Sequence, residues 1–248
     1  MPGDKQSTKN LFAAPLIHAT IGLIALPPCT AKGEGRTMRR IMVSCNPTLW
    51  PPRLVTMAGL HGSEDAHWQT WLERQFVRSL RVEQDDWDAP DLTRWSQALH
   101  ARLARERGPF VLAAHSFGCL ASAHALLQTP TAASAEIVGV LLVAPASPAK
   151  FATAKAFDPR RLRVPSILIG SETDPWMTLE GSRELARHLG SAFVNLGDAG
   201  HINTAAGFGP WPRARRYIDT LVHCAAQQRR HPPVALNLLD ALTQPTLN

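Results

Sequence analysis

From residue 53 onward the apolar residues alternate between two spacings, and that alternation limits the possible folds more than any other feature. Short, nearly continuous apolar runs occur at Leu54 to Ala58, Leu80 to Glu83, Phe110 to Ala114, Ile137 to Ala144, Ser166 to Gly170 and Ala192 to Leu196. A strand covered on both faces reads this way, because neither side of its pleat meets water. Between the runs lie segments of helical spacing, at about 67–79, 91–107, 117–128, 178–189 and 213–227. In the second of these Leu92, Trp95, Leu99 and Leu103 recur three and four residues apart and form one apolar stripe. Strands alternating with helices predict α/β units and a mainly parallel sheet of about six strands. Right-handed crossovers make a doubly wound sheet the simplest topology, with reactive groups expected at the carboxyl ends of the strands.

A chain of 248 residues suffices for one sizeable core, which we expect over residues 41–228. The net charge of +6 raises the question of nucleic acid. Residues 1–40 hold six basic and two acidic groups, a surplus of +4, so only +2 is left for the other 208 residues. A nucleic-acid binder concentrates positive charge on its folded surface, and this core is nearly neutral. Cys29, Cys45, Cys119 and Cys224 form no C-x-x-C pair. That suits a reducing compartment better than a disulfide framework or zinc site, so a cytoplasmic location is expected.

Residues 1–40 read as an extension outside the core, and residues 229–248 as a tail. Leu11 to Cys29 is apolar behind Lys5 and Lys9 and resembles an export signal, which would change the location. Pro15 and His18 interrupt it, however, and Pro27-Pro28 stands where small cleavage-site residues belong. The run is also too broken for a membrane span, so no stable membrane association is expected. Met38 offers an alternative start that would place residues 1–37 outside the protein proper.

The chemistry collects at strand ends. The third run leads through Ala114-His115-Ser116-Phe117-Gly118 into helical spacing, a strand, sharp turn and helix with Ser116 at the apex. This resembles the G-x-S-x-G nucleophile elbow of α/β-hydrolases, with Ala114 in the first glycine's place. A serine there is otherwise a helix cap. Serine needs an adjacent base, and the order in this fold is Ser, acid, His. The fifth run ends at Gly170-Ser171-Glu172-Thr173-Asp174-Pro175, and the sixth leads to Gly197-Asp198-Ala199-Gly200-His201. Ser116, Asp174 and His201 are therefore the expected nucleophile, acid and base, with Glu172 and Asp198 as alternative acids. His188 and His223 do not follow strand ends. For the oxyanion we expect the N–H of Phe117 and that of Leu60, or His61 instead, from the loop Gly59-Leu60-His61-Gly62.

With these residues the chain resembles the RBBP9/YdeN family of compact serine hydrolases, over about residues 53–225. The motifs are Gly59-Leu60-His61-Gly62 with His67-Trp68-Gln69 and Trp71, the His115-to-Gly118 elbow, and Ser171 to Pro175. Gly200-His201-Ile202-Asn203 with Gly207-Phe208-Gly209-Pro210-Trp211-Pro212 is the most specific. The resemblance implies a Ser-His-Asp triad, no cofactor and esterase-like or amidase-like activity, and it favours Asp174 over Glu172.

His61, His67, Trp68, Phe117 and Trp176 are candidate substrate contacts, although tryptophans in such places often pack the core instead. Only about 20 residues, Pro145 to Val164, separate the fourth run from the fifth, so no large lid domain is expected and the site should be shallow. No metal-ligand cluster stands out, and Gly207-Phe208-Gly209 is followed by a proline that lacks the N–H a phosphate loop needs. The expected partner is a small ester or amide. The rival expectation is a non-catalytic binding module on the same scaffold.

Overall fold

The computed structural model describes residues 50–128, 136–151, 153 and 155–230. The expected N-terminal extension, Met38, Cys29, Cys45 and the tail beyond Arg230 lie outside the described residues. Six strands form one sheet: β1 (Arg53–Met57), β2 (Ser79–Arg81), β3 (Phe110–His115), β4 (Ile137–Val143), β5 (Ser166–Gly170) and β6 (Ala192–Asn195). Their order is β2-β1-β3-β4-β5-β6 and every pairing is parallel. Five helices accompany them: α1 (Trp68–Glu73), α2 (Leu92–Ala104), α3 (Phe117–Leu127), α4 (Leu179–Leu189) and α5 (Pro212–Arg230). Each expected strand is present, within two residues at either end.

The helices divide between the two faces as the topology demands. The step from β1 to β2 runs opposite to all later steps, so a right-handed crossover puts α1 on the other face from α2, α3 and α4. Period-two alternation sorts the strand side chains accordingly. Val55, Leu112, Val140, Leu142 and Leu168 pack under Leu99 and Leu103 of α2, Leu120 of α3 and Leu189 of α4. Leu54, Val111, Leu141, Ile167 and Ile169 pack under Trp68 and Leu72 of α1 and Ile218 and Leu221 of α5. Burying each such side chain stabilises the fold by about 1.5–3 kcal/mol.

Three helix limits differ from expectation, α2 ending at Ala104 instead of residue 107. α1 ends at Glu73 instead of running to residue 79, because the amides of Gln75 and Phe76 turn back to the carbonyls three residues earlier and Ser79 already belongs to β2. α5 continues to Arg230. The chain's reversal between β1 and β3 leaves the loops after those strands facing each other across a crevice, the place where such sheets bind ligands.

Candidate active site

Ser116 follows β3 at φ 54° and ψ −126°, and its side chain makes no capping hydrogen bond to α3. The helix-cap alternative therefore fails. Its backbone is pinned from both sides: the N–H donates to the Val143 carbonyl, and its own carbonyl accepts from Cys119 and Ala146. The glycine two residues on is required by β1, not by β3. A Cβ at Gly118 would stand 2.3 Å from the carbonyl oxygen of Ala58 and 2.5 Å from that of Met57. Gly59 serves the same approach from the opposite loop, since a Cβ there would lie 2.6 Å from the Ser116 Cβ. Ala114, the departure from the glycine pattern, is fully buried.

The loops after β5 and β6 bring the other two residues to this serine. Ser116 Oγ lies 2.9 Å from His201 Nε2, and His201 Nδ1 lies 2.9 and 3.0 Å from the two oxygens of Asp174. A carboxylate only accepts, so Nδ1 carries the proton and Nε2 is left as acceptor for the serine hydroxyl. The Asp174 side chain is 1% exposed and also accepts the N–H of Trp176 at 2.8 Å. The alternative acids are engaged elsewhere: Glu172 accepts from Asn195 and Asp198 from Thr173. Two small hydroxyls that sequence reasoning passed over fasten these loops together. Ser171 Oγ donates to Gly197 and accepts from Ala199, and Thr173 Oγ1 accepts from Gly200.

Around Ser116 the expected contacts separate. The His61 N–H donates to the Trp87 carbonyl, whereas the Leu60 N–H meets no acceptor among the described residues. The Phe117 N–H, in the first turn of α3, has no intrahelical partner. The His61 ring is exposed and pairs with Asp88 at 2.7 Å. Three of the expected contacts have buried side chains. Phe117 opens α3 with its ring turned into the α2–α3 interface, edge-on to Trp95. Trp68 lies on the face of α1 that covers the sheet, edge-on to Trp211. His67 is the N-cap of α1, its Nδ1 accepting from the Gln69 amide. Trp176 stays half-exposed beside the His201 ring, stacked on Phe151 at 5.6 Å, with Lys150 Nζ 5.3 Å from its ring centroid. Burial drives the His67 pKa down to about 4 and pushes the Cys119 thiol far up, which keeps the imidazole neutral and the thiol protonated. Among the described residues no group of three or more His, Cys, Asp or Glu is placed to hold a metal, and no helix is long and apolar enough to cross a membrane.

A parallel doubly wound sheet with a strained serine after its third strand and a His–Asp pair facing it defines an α/β-hydrolase. The serine hydrolase family model matches residues 54–220. A structure from Pectobacterium atrosepticum, named as a YdeN-like hydrolase, is 36% identical at a TM-score of 0.65, covering 70% of this chain and 91% of that one. The chain belongs to the serine hydrolase family, within its RBBP9/YdeN group. The ydeN gene product of Bacillus subtilis shares the fold at 18% identity and TM-score 0.59, covering 69% of this chain and 98% of that one. So does an esterase domain from Rhodothermus marinus, at 17% and 0.50 with 72% and 87% covered. No curated protein matches the chain.

Proposed function

We propose that the protein hydrolyses a small carboxylic ester or amide through an acyl-enzyme on Ser116. The observation that carries this reading is the unbroken Ser116–His201–Asp174 hydrogen-bond array at three strand ends. Ser116 Oγ attacks the carbonyl carbon while its proton passes to His201 Nε2. The resulting oxyanion is held by the N–H groups of Phe117 and Leu60, each worth about 2.7–4 kcal/mol in the transition state. As the intermediate collapses, His201 returns the proton to the departing alcohol or amine. Water then attacks the acyl-enzyme by the same route in reverse, regenerating the serine. Asp174 keeps the imidazole in the tautomer that leaves Nε2 free to accept, and stabilises the imidazolium. Trp176 and Phe151 form one wall for the substrate, and His61 borders the opposite loop. No cofactor enters this scheme.

The test is labelling by a fluorophosphonate probe together with hydrolysis of a short p-nitrophenyl ester. Wild type is expected to label and turn over, and Ser116→Ala to do neither. Labelling that survives in the alanine variant would move the nucleophile elsewhere. A wild type inert toward a broad ester and amide panel would favour a binding module instead.

A further inference from the structure

His115 is a buried titratable side chain for which the proposed chemistry has no use. It ends β3 immediately before Ser116 and is only 4% exposed. Its Nε2 lies 2.9 Å from the backbone carbonyl oxygen of His201, 86 positions along the chain. A carbonyl only accepts, so this ring nitrogen carries the proton and donates. The ring also packs against those of His67 and His201, with centroids 4.9 and 4.8 Å away. Burial foremost, and the neighbouring imidazoles next, hold His115 well below the usual histidine range, so the donor is a neutral ring.

The accepting carbonyl belongs to a strained turn. Gly200 has φ 53° and Ile202 has φ 49°, which puts both neighbours of His201 in the left-handed region. Glycine enters that region at little cost, whereas a β-branched residue there is a genuine outlier. Such a conformation persists only where its surroundings over-determine it. Its surroundings here are the fully buried Ile202 side chain, the Gly200 N–H on Thr173 Oγ1, the Ile202 N–H on the Ala199 carbonyl, and His115, which grips the carbonyl between the two left-handed residues. The residue before the nucleophile thus holds the backbone of the residue whose imidazole must meet that nucleophile.

Resting on the acyl-transfer reading above, we infer that His115 is a positioning residue: its Nε2–H, donated to the His201 carbonyl, keeps the His201 imidazole aligned between Ser116 and Asp174. It does not touch the substrate. Without the clamp the strained turn relaxes toward ordinary backbone angles and carries the imidazole with it. A misplacement of about 1 Å suffices to lower a rate ~100-fold.

Three variants test this. His115→Leu removes the donor. His115→Gln places an amide N–H about as far from the backbone as Nε2, and His115→Asn offers the same amide one methylene too short. On a short-chain p-nitrophenyl ester, the Leu and Asn variants are expected to lose ~10- to 100-fold in kcat with KM within about twofold of wild type, and Gln to recover most of the loss. A generally loosened fold would raise KM and lower the thermal midpoint, and Gln would not reverse it. Should the Leu variant fail to fold, the Asn and Gln pair decides alone. The proposal is overturned if Gln is no faster than Asn, or if kcat holds while KM rises. Ser116→Ala, run in parallel, separates the two ideas. If it still turns over, the acyl-transfer reading falls and the clamp with it; if it is dead while Asn matches wild type, only the clamp falls.

Discussion

Ser116 occupies a backbone conformation that non-glycine residues adopt only under compulsion, at a cost of about 1–3 kcal/mol. The compulsion comes from three hydrogen bonds to its own peptide groups and from two glycines that let β1 and its loop come within contact distance. Asp174 shows a comparable commitment, a carboxylate 1% exposed whose oxygens face the His201 ring and one amide. Replacing it with asparagine offers Nδ1 an NH2 or a carbonyl in nearly the same shape. The amide can then hold the wrong tautomer, with Nε2 protonated and unable to accept from Ser116. Asp174→Asn is therefore expected to lower kcat by about 10³–10⁴-fold with little change in KM, measured on the same ester. A loss below tenfold would mean that another group orients His201. These three residues were legible in the sequence because each sits in a local word at the end of an apolar run, and the fold fixes their order. His115, Ser171 and Thr173 were not, since their significance lies in hydrogen bonds between loops that are distant along the chain. The burial of Phe117 and Trp68 was illegible for a related reason: sequence shows that an aromatic is near the site, but only packing shows which way its ring turns.

The shortness of α1 makes its N-cap consequential. His67 accepts the Gln69 amide through Nδ1 and is 3% exposed. Protonation of that nitrogen ends its role as acceptor and places a charge inside the protein. Desolvation is the main cause of the depressed pKa, opposed by Glu64 and reinforced by Arg81 and His201. A folded pKa of about 4 against an unfolded one near 6.5 means that the unfolded chain binds this proton first as pH falls. Stability is unaffected above 6.5 and declines through the window down to 4, by about 3 kcal/mol in all from this one group. Asparagine is a strong N-cap residue and has no proton to gain. His67→Asn is expected to match wild type near pH 7.5 and to exceed it by roughly 2 kcal/mol near pH 4.5, read from urea unfolding at both values. Parallel decline of the two proteins would show that His67 is not the sensor. Helix spacing had indicated an element starting at residue 67, and the cap is there. Its early end was illegible, because the turn back at Gln75 and Phe76 follows from how soon the chain must enter β2.

At the scale of the whole molecule, the strand count, the parallel sheet and the two-faced helix arrangement all followed from hydrophobic spacing, since a parallel strand needs cover on both sides and the chain must supply it between strands. The same reading bears on substrate size. Between β4 and β5 the described residues hold only one short 3₁₀ helix, Pro148–Phe151, which contributes Phe151 to the wall beside Trp176. A site roofed by a cap could bury an acyl chain along its length. Each methylene so buried is worth about 0.8 kcal/mol, close to a fourfold gain in kcat/KM, and the gain would accumulate until the tunnel was full. On the proposed wall of one aromatic pair, only the first few carbons would find apolar cover, and further methylenes would remain in water whether or not the ester is bound. kcat/KM is therefore expected to level off or fall beyond about butyrate across p-nitrophenyl esters from acetate to palmitate, with no jump when the longer esters form an emulsion. A steady rise through laurate would require apolar surface that the short β4–β5 connection does not provide, and would place the acyl chain against elements other than Phe151 and Trp176.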